Sequence, residues 1–127
     1  MNQTVLASPA GFGFPVESRL TRPGDFTRVF QSGKRIHCGL LMAVAHLGET
    51  PRPRLGLAIA KRQIHRAHER NRIKRHAREL FRENQGRLPG IDMVILAKAG
   101  ADRLSAAELR SMMILLFDKV ITRCAGS

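Results

Sequence analysis

The chain contains no tryptophan, no tyrosine, two cysteines and ten acidic residues among 127 positions. Each shortage excludes something. Cys38 and Cys124, far apart in sequence, cannot frame a disulfide-rich secreted scaffold and suit buried, reduced thiols. The acids are scattered singly, so no carboxylate cluster is available for general acid–base or metal-assisted chemistry. No catalytic residue and no metal ligand set is therefore assigned to the protein. No apolar run approaches the roughly 18 residues of a membrane-spanning helix. The opening stretch MNQTVLASPAGFGF lacks the basic start of a secretory signal. A cytoplasmic protein with no membrane partner is the expectation.

What the chain has in excess is positive charge. Lys and Arg number 22, the formal net charge is +12 and the sequence pI is about 11.5. Seventeen of the bases are Arg, whose planar guanidinium grips phosphate bidentately and stacks on bases. The apolar content of 43% supports a folded body rather than a basic tail. Nucleic acid, RNA in particular, is the favoured partner. An anionic membrane surface is the competing one, but it needs bulky apolar residues free to insert, and here those are committed to a core.

Residues 1–18 carry Gly11, Gly13 and Pro15 without any period and read as a flexible arm; 19–127 read as one domain. Pro23 and Asp25 fit a first helical turn and Gly33 fits its stop, giving a helix over about 23–31 with Phe26, Val29 and Phe30 on one face. Residues 34–47 alternate through Ile36, Cys38, Leu40, Met42 and Val44, with Gly39 where a bulge or kink splits the run. Residues 54–60 alternate again through Leu55, Leu57 and Ile59. Ile91–Ala97 is nearly continuously apolar, as a well-buried strand is. Ser105 and Glu108 match a capping box, followed by a wide stripe through Leu109, Met112, Met113, Leu116, Phe117, Val120 and Ile121. The order of elements describes an α+β sandwich of one sheet with helices against it.

The segment KRQIHRAHERNRIKRHARELFRE, 61–83, holds nine bases between Lys61 and Arg82, where Glu69 and Glu79 are the acids, so 61–82 carries a net seven of the twelve charges. On a helix, Ile73, Ala77, Leu80 and Phe81 share one side and can be buried. Asn71, Lys74, Arg75, Arg78 and Arg82 form a continuous ridge beside them. Such a ridge can be a solvated charged face. Its scarcity of acids, its like charges four residues apart and the Asn among the bases favour RNA instead.

Arg70-Asn71-Arg72, followed by Ile73-Lys74-Arg75 and Arg78-Glu79, resembles the RNR motif of the protein subunit of bacterial ribonuclease P. Asp25-Phe26 through Phe30 and Gly33 resemble that family's first helix. Arg54-Leu55-Gly56-Leu57 through Ala60-Lys61-Arg62 resembles the strand before the motif, and the similarity spans about 19–123. The resemblance implies an α/β sandwich like domain 2 of ribosomal protein S5, with about four strands, three helices and a left-handed βαβ crossover. It implies an accessory subunit of the endoribonuclease that removes the 5′ leader from precursor tRNA, one protein per RNA. The RNA subunit and its Mg²⁺ would do the chemistry, with no cofactor on the protein alone. Arg70, Asn71, Arg72, Lys74, Arg75 and Arg78, with Arg66 and Arg82 extending the set, would contact the catalytic RNA. Phe26, Phe30, Met42 and Val44, with Lys61 and Arg62 at the rim, would receive the single-stranded leader, where aromatic stacking is sequence-tolerant. The two Phe residues are equally compatible with core packing.

His65 and His68 lie three apart, but no third ligand completes a metal motif. A generic RNA-binding or ribosomal protein is the alternative function, and a protein-only nuclease is a second.

Overall fold

A computed structural model of the chain describes residues 19–20, 22–48 and 51–125. The expected arm, 1–18, lies outside the described residues.

Helix α1, Pro23–Ser32, starts with Pro in its first turn and Asp25 near its positive end, and no side chain caps it. The N–H of Gly33 closes it on the carbonyl of Val29 at 2.7 Å. Strands β1 (Lys34–Cys38) and β2 (Leu41–Leu47) follow as an antiparallel hairpin. Gly39 corrects the sequence expectation here. With φ of 57° it is neither bulge nor kink but the first residue of a two-residue turn, the position that glycine fills because a Cβ resists positive φ. Strand β3 is Arg54–Ala58, two residues shorter than expected, and β4 is Ile91–Ala97.

The sheet order is β1-β2-β4-β3. β4 runs antiparallel to β2 and parallel to β3, in the register Arg54↔Asp92 and Gly56↔Val94. The β3-to-β4 crossover carries helix α2, Ala67–Asn84. The basic segment is thus not helical from Lys61: residues 61–66 form a turn in which the N–H groups of Gln63 and Ile64 both bond to the carbonyl of Ala60. Fully buried Ile64 anchors that turn in the core. Helix α3, Ala106–Ala125, opens on the expected capping box. The N–H of Glu108 donates to Ser105 Oγ at 3.1 Å and the N–H of Ser105 donates to Glu108 Oε1 at 2.9 Å. It continues past Ile121 to Ala125.

Strand alternation divides the core in two. Leu41, Ala43, Ala45, Leu55, Met93 and Ile95 face α2 and α3, meeting Ile73, Ala77, Leu80 and Phe81 of α2 and Leu109, Met113, Leu116, Phe117 and Val120 of α3. The opposite face presents Val44 and Val94 to Val29 of α1 and to Leu20. That face also buries one charge. Asp92, 1% exposed, takes two 2.8 Å hydrogen bonds from the Arg54 guanidinium. The bidentate pair ties β3 to β4, and Asp25 of α1, 3.7 Å from the same guanidinium, adds an ion pair from the helix to the sheet. Cys38 is buried and Cys124 only half-buried, and neither is in a disulfide; burial raises the Cys124 pKa, with Lys34 pulling the other way.

Candidate nucleic-acid interface

Helix α2 has three sides. Its core side holds Ile73, Ala77, Leu80 and Phe81, all buried. The side toward α3 carries Glu69, Arg72, His76 and Glu83, and there Glu83 pairs with Arg110 at 3.3 Å. The remaining arc carries Asn71, Lys74, Arg75, Arg78 and Arg82, all exposed except half-buried Lys74. The side chains of Asn71, Lys74, Arg75 and Arg78 make no hydrogen bond or ion pair among the described residues. With successive residues about 100° apart, an eighteen-residue helix has room for a full core stripe and a separate cationic one.

The other arginines of the motif are turned inward. Arg72 donates from Nε to Glu69 Oε1 at 2.8 Å and from Nη2 to the carbonyls of Leu104 at 2.9 Å and Asp102 at 3.2 Å. Arg70 donates from Nη1 to the carbonyls of His65 at 2.8 Å and Ile64 at 2.9 Å. In this conformation both are struts, Arg72 to the short 3₁₀ turn Ala101–Arg103 before α3 and Arg70 to the turn before α2. Arg66, Lys61 and Arg62 are exposed on that latter turn.

The ridge is electrostatically strained. Burial pushes the Lys74 ammonium below its usual pKa, and the charges of Arg78 and Arg70 push it further. Burial likewise lowers Arg78, with Arg19 as the second cause. On the α3 side, burial depresses the His76 imidazole, partly offset by Glu79 and reinforced by Arg72, Arg110 and Arg75. These shifts share a sign because like charges are held together in partly desolvated positions.

The second expected surface separates into two kinds of residue. Val44 is fully buried. Phe26 lies on Gly56, where a Cβ would come within 2.8 Å of the ring. Phe26 itself, Phe30 and Met42 are half-buried, as are Ala58 and Leu96, all packed at the margin of the α1-side core. Met42, Leu96 and Ala58 are cross-strand neighbours and with Phe26 and Phe30 make an apolar strip at that margin; Lys61 and Arg62 follow Ala60 in the chain. Ala58 and Leu96 were not singled out from the sequence. Leu96 shares strand parity with Asp92 and Val94, but the unbroken apolar run of β4 conceals which of its residues face α1.

No three His, Cys, Asp or Glu side chains gather into a metal site among the described residues; His65 and His68 are both exposed.

A family model described as Ribonuclease P matches residues 14–121. The ribonuclease P protein component of Pseudoalteromonas atlantica is 41% identical over 114 residues, 90% of this chain and 95% of that one. The solved RNase P protein of Thermotoga maritima superposes with a TM-score of 0.67 at 28% identity, covering 77% of this chain and 94% of that one. That of Staphylococcus aureus superposes with a TM-score of 0.75 at 22% identity, covering 80% and 93%, a likeness of fold. A basic ridge on the crossover helix, the four-stranded mixed sheet and a match across most of the chain converge on one conclusion: this chain belongs to the ribonuclease P protein family.

Proposed function

We propose that this chain is the protein subunit of a ribonuclease P ribonucleoprotein in the cytoplasm, paired one to one with a catalytic RNA, and that it assists removal of the 5′ leader from precursor tRNA. The observation that carries the reading is the exposed arc Asn71, Lys74, Arg75, Arg78 and Arg82, cationic and without an acid partner for Lys74, Arg75 or Arg78 among the described residues. A folded RNA crowds phosphates that repel one another. Cations held at fixed spacing lower the cost of that crowding, and release of condensed counterions adds to binding. Arg70 and Arg72 serve as positioning residues that fix where the ridge starts and how it leans. Arg66, at the start of α2, extends the charged track.

Mg²⁺ belongs to this reading through the RNA. The described side chains offer it no clustered donor set, so no step is assigned to a protein-bound metal. The leader is received on the strip formed by Phe30, Met42, Ala58 and Leu96, with Lys61 and Arg62 beside its phosphates. Half-buried Phe26 borders that strip, and Val44 supports it from within the packing.

Reconstitution tests the proposal. Added to a ribonuclease P RNA at low Mg²⁺, the chain should raise precursor tRNA cleavage. Its affinity for that RNA should fall with salt on a log–log slope of about −4, reflecting five or so phosphate contacts. Salt-dependent RNA binding with no gain in cleavage at any protein concentration would leave only a generic RNA-binding protein. Cleavage by the protein and Mg²⁺ alone would overturn the division of labour.

A further inference from the structure

Helix α3 is apolar on two sides. Its inner face, Leu109, Met113, Leu116, Phe117 and Val120, is buried in the core. Three large apolar side chains are exposed among the described residues, Leu47, Ile114 and Leu115, and two of them are neighbours on the outer crest of this helix. At about 100° per residue Ser111 and Thr122 fall on the same crest, and both are exposed. Lys119 leans aside toward β1, where its Nζ donates to the His37 carbonyl at 3.0 Å. From Ser111 to Thr122 the outward arc thus carries a single charge, that of Asp118. A lone surface leucine such as Leu47 is ordinary; two adjacent apolar side chains inside a rim of charges mark a contact surface.

The rim is balanced. On the α2 side of the crest Arg110 pairs with Glu83 at 3.3 Å, and Asp118 pairs at 3.3 Å with Arg87, in the short turn after α2. Two bases against two acids leave it neutral on a protein whose formal net charge is +12. That neutrality selects the occupant. Nucleic acid gains little from a surface without an excess of cations. A second copy of this chain is repelled wherever its surface is basic and can approach where it is not. The pattern is also self-complementary. Arg110 and Asp118 lie four residues to either side of Ile114, about 6 Å along the axis in each direction. When two α3 helices run antiparallel about Ile114, each Arg110 faces the Asp118 of the other copy. A parallel arrangement sets Arg110 against Arg110. The four rim side chains are 42 to 59% exposed in their present pairs, which leaves room for a second ion partner.

We propose that the outer crest of α3, centred on Ile114 and Leu115, is a self-association surface on which two copies of this chain pair by antiparallel packing of their α3 helices. The contact is small. The crest from Ser111 to Thr122 is about 17 Å long and one helix diameter, about 10 Å, wide. That is well short of the roughly 800 Å² per partner of a standard stable interface, so the dimer is weak and reversible. The basic arc of α2 is turned away from α3, and pairing at the crest leaves it free on both copies. The inference is independent of what that arc binds.

Sedimentation equilibrium of the full chain, without RNA, tests this at about 0.3 M NaCl, which screens the repulsion between two such cations beyond roughly 6 Å. The weight-average mass should rise from one chain toward two between about 10 μM and 1 mM. Ile114→Gln combined with Leu115→Gln should weaken pairing at least about tenfold, whereas Leu47→Gln, at the other exposed apolar position, should leave it within about twofold. Should the double change unfold the chain, Leu115→Gln alone, at a position 56% exposed, should weaken pairing about threefold. Asp118→Arg and Arg110→Asp each set like charges across the contact and should weaken pairing about fivefold or more. An equimolar mixture of those two variants makes every facing pair opposite in sign and should recover wild-type pairing to within about twofold. A chain that stays monomeric to about 1 mM, equal losses in the crest and Leu47 variants, or no recovery in the mixture overturns the proposal.

Discussion

Arg72 and Lys74 are two residues apart and do different work. Arg72 is held by Glu69 and two carbonyls from the segment before α3; Lys74 sits among cations. Arg72→Ala should therefore cost about 1 to 2 kcal/mol of stability, since charge-assisted bonds in a partly exposed place are discounted for solvent. It should leave the salt slope of RNA binding nearly unchanged. Lys74→Gln should do the reverse, costing little stability and flattening the slope by about one contact. Thermal unfolding and a salt series on both variants check this. His76 gives a second residue-level expectation. Burial sets its folded-state pKa below the ordinary 6.5, so the unfolded chain binds more protons as the pH falls. Its contribution is complete above that ordinary value and is lost as pH drops through it toward the lower folded value. Chemical denaturation between about pH 8 and pH 5 should show stability falling, and His76→Gln should flatten the profile. Individual identities were readable in the sequence for the motif as a whole. Which arginine points inward was not, because that depends on carbonyls at Asp102 and Leu104, thirty or so residues away, and on Glu69 lying within reach on the same side.

Among the elements, those with strong local signals were legible. The capping box at Ser105 and Glu108, the stripe of α3 and the proline-led α1 each follow from a few adjacent residues. The start of α2 was not legible, because Lys61 to Arg66 are good helix formers locally and are held out of the helix by the burial of Ile64 and the bonds to Ala60. The same holds for Gly39, where turn and bulge share one sequence signature. The α1–sheet contact yields a sharper test. Gly56 lies beneath the Phe26 ring, so Gly56→Ala must lift α1 or tilt the ring. It should lower thermal stability by about 1 to 3 kcal/mol, the range for overpacking. A neutral result would mean that the Phe26 ring gives way without cost and is not clamped on Gly56.

Among the described residues the helices are distributed unequally: α2 and α3 on one face of the sheet and α1 alone on the other. Both layers follow from composition and period, and the α+β class was readable. The strand order was not, since β4 inserts between β2 and β3 through long-range pairing that no local pattern announces. The inequality has a kinetic consequence. Helix α1 buries one residue fully, Val29, and lacks a side-chain cap, while α2 and α3 share a continuous interior. Opening should therefore be graded, with α1 detaching as a unit well before the rest. Native-state hydrogen exchange should find its amides protected far less than those of α2 and α3, and uniform protection would contradict the grading. Since Phe30 rides on that helix, the apolar strip would come and go with it, making the α1 side of the molecule a breathing surface carried on a rigid back of α2 and α3.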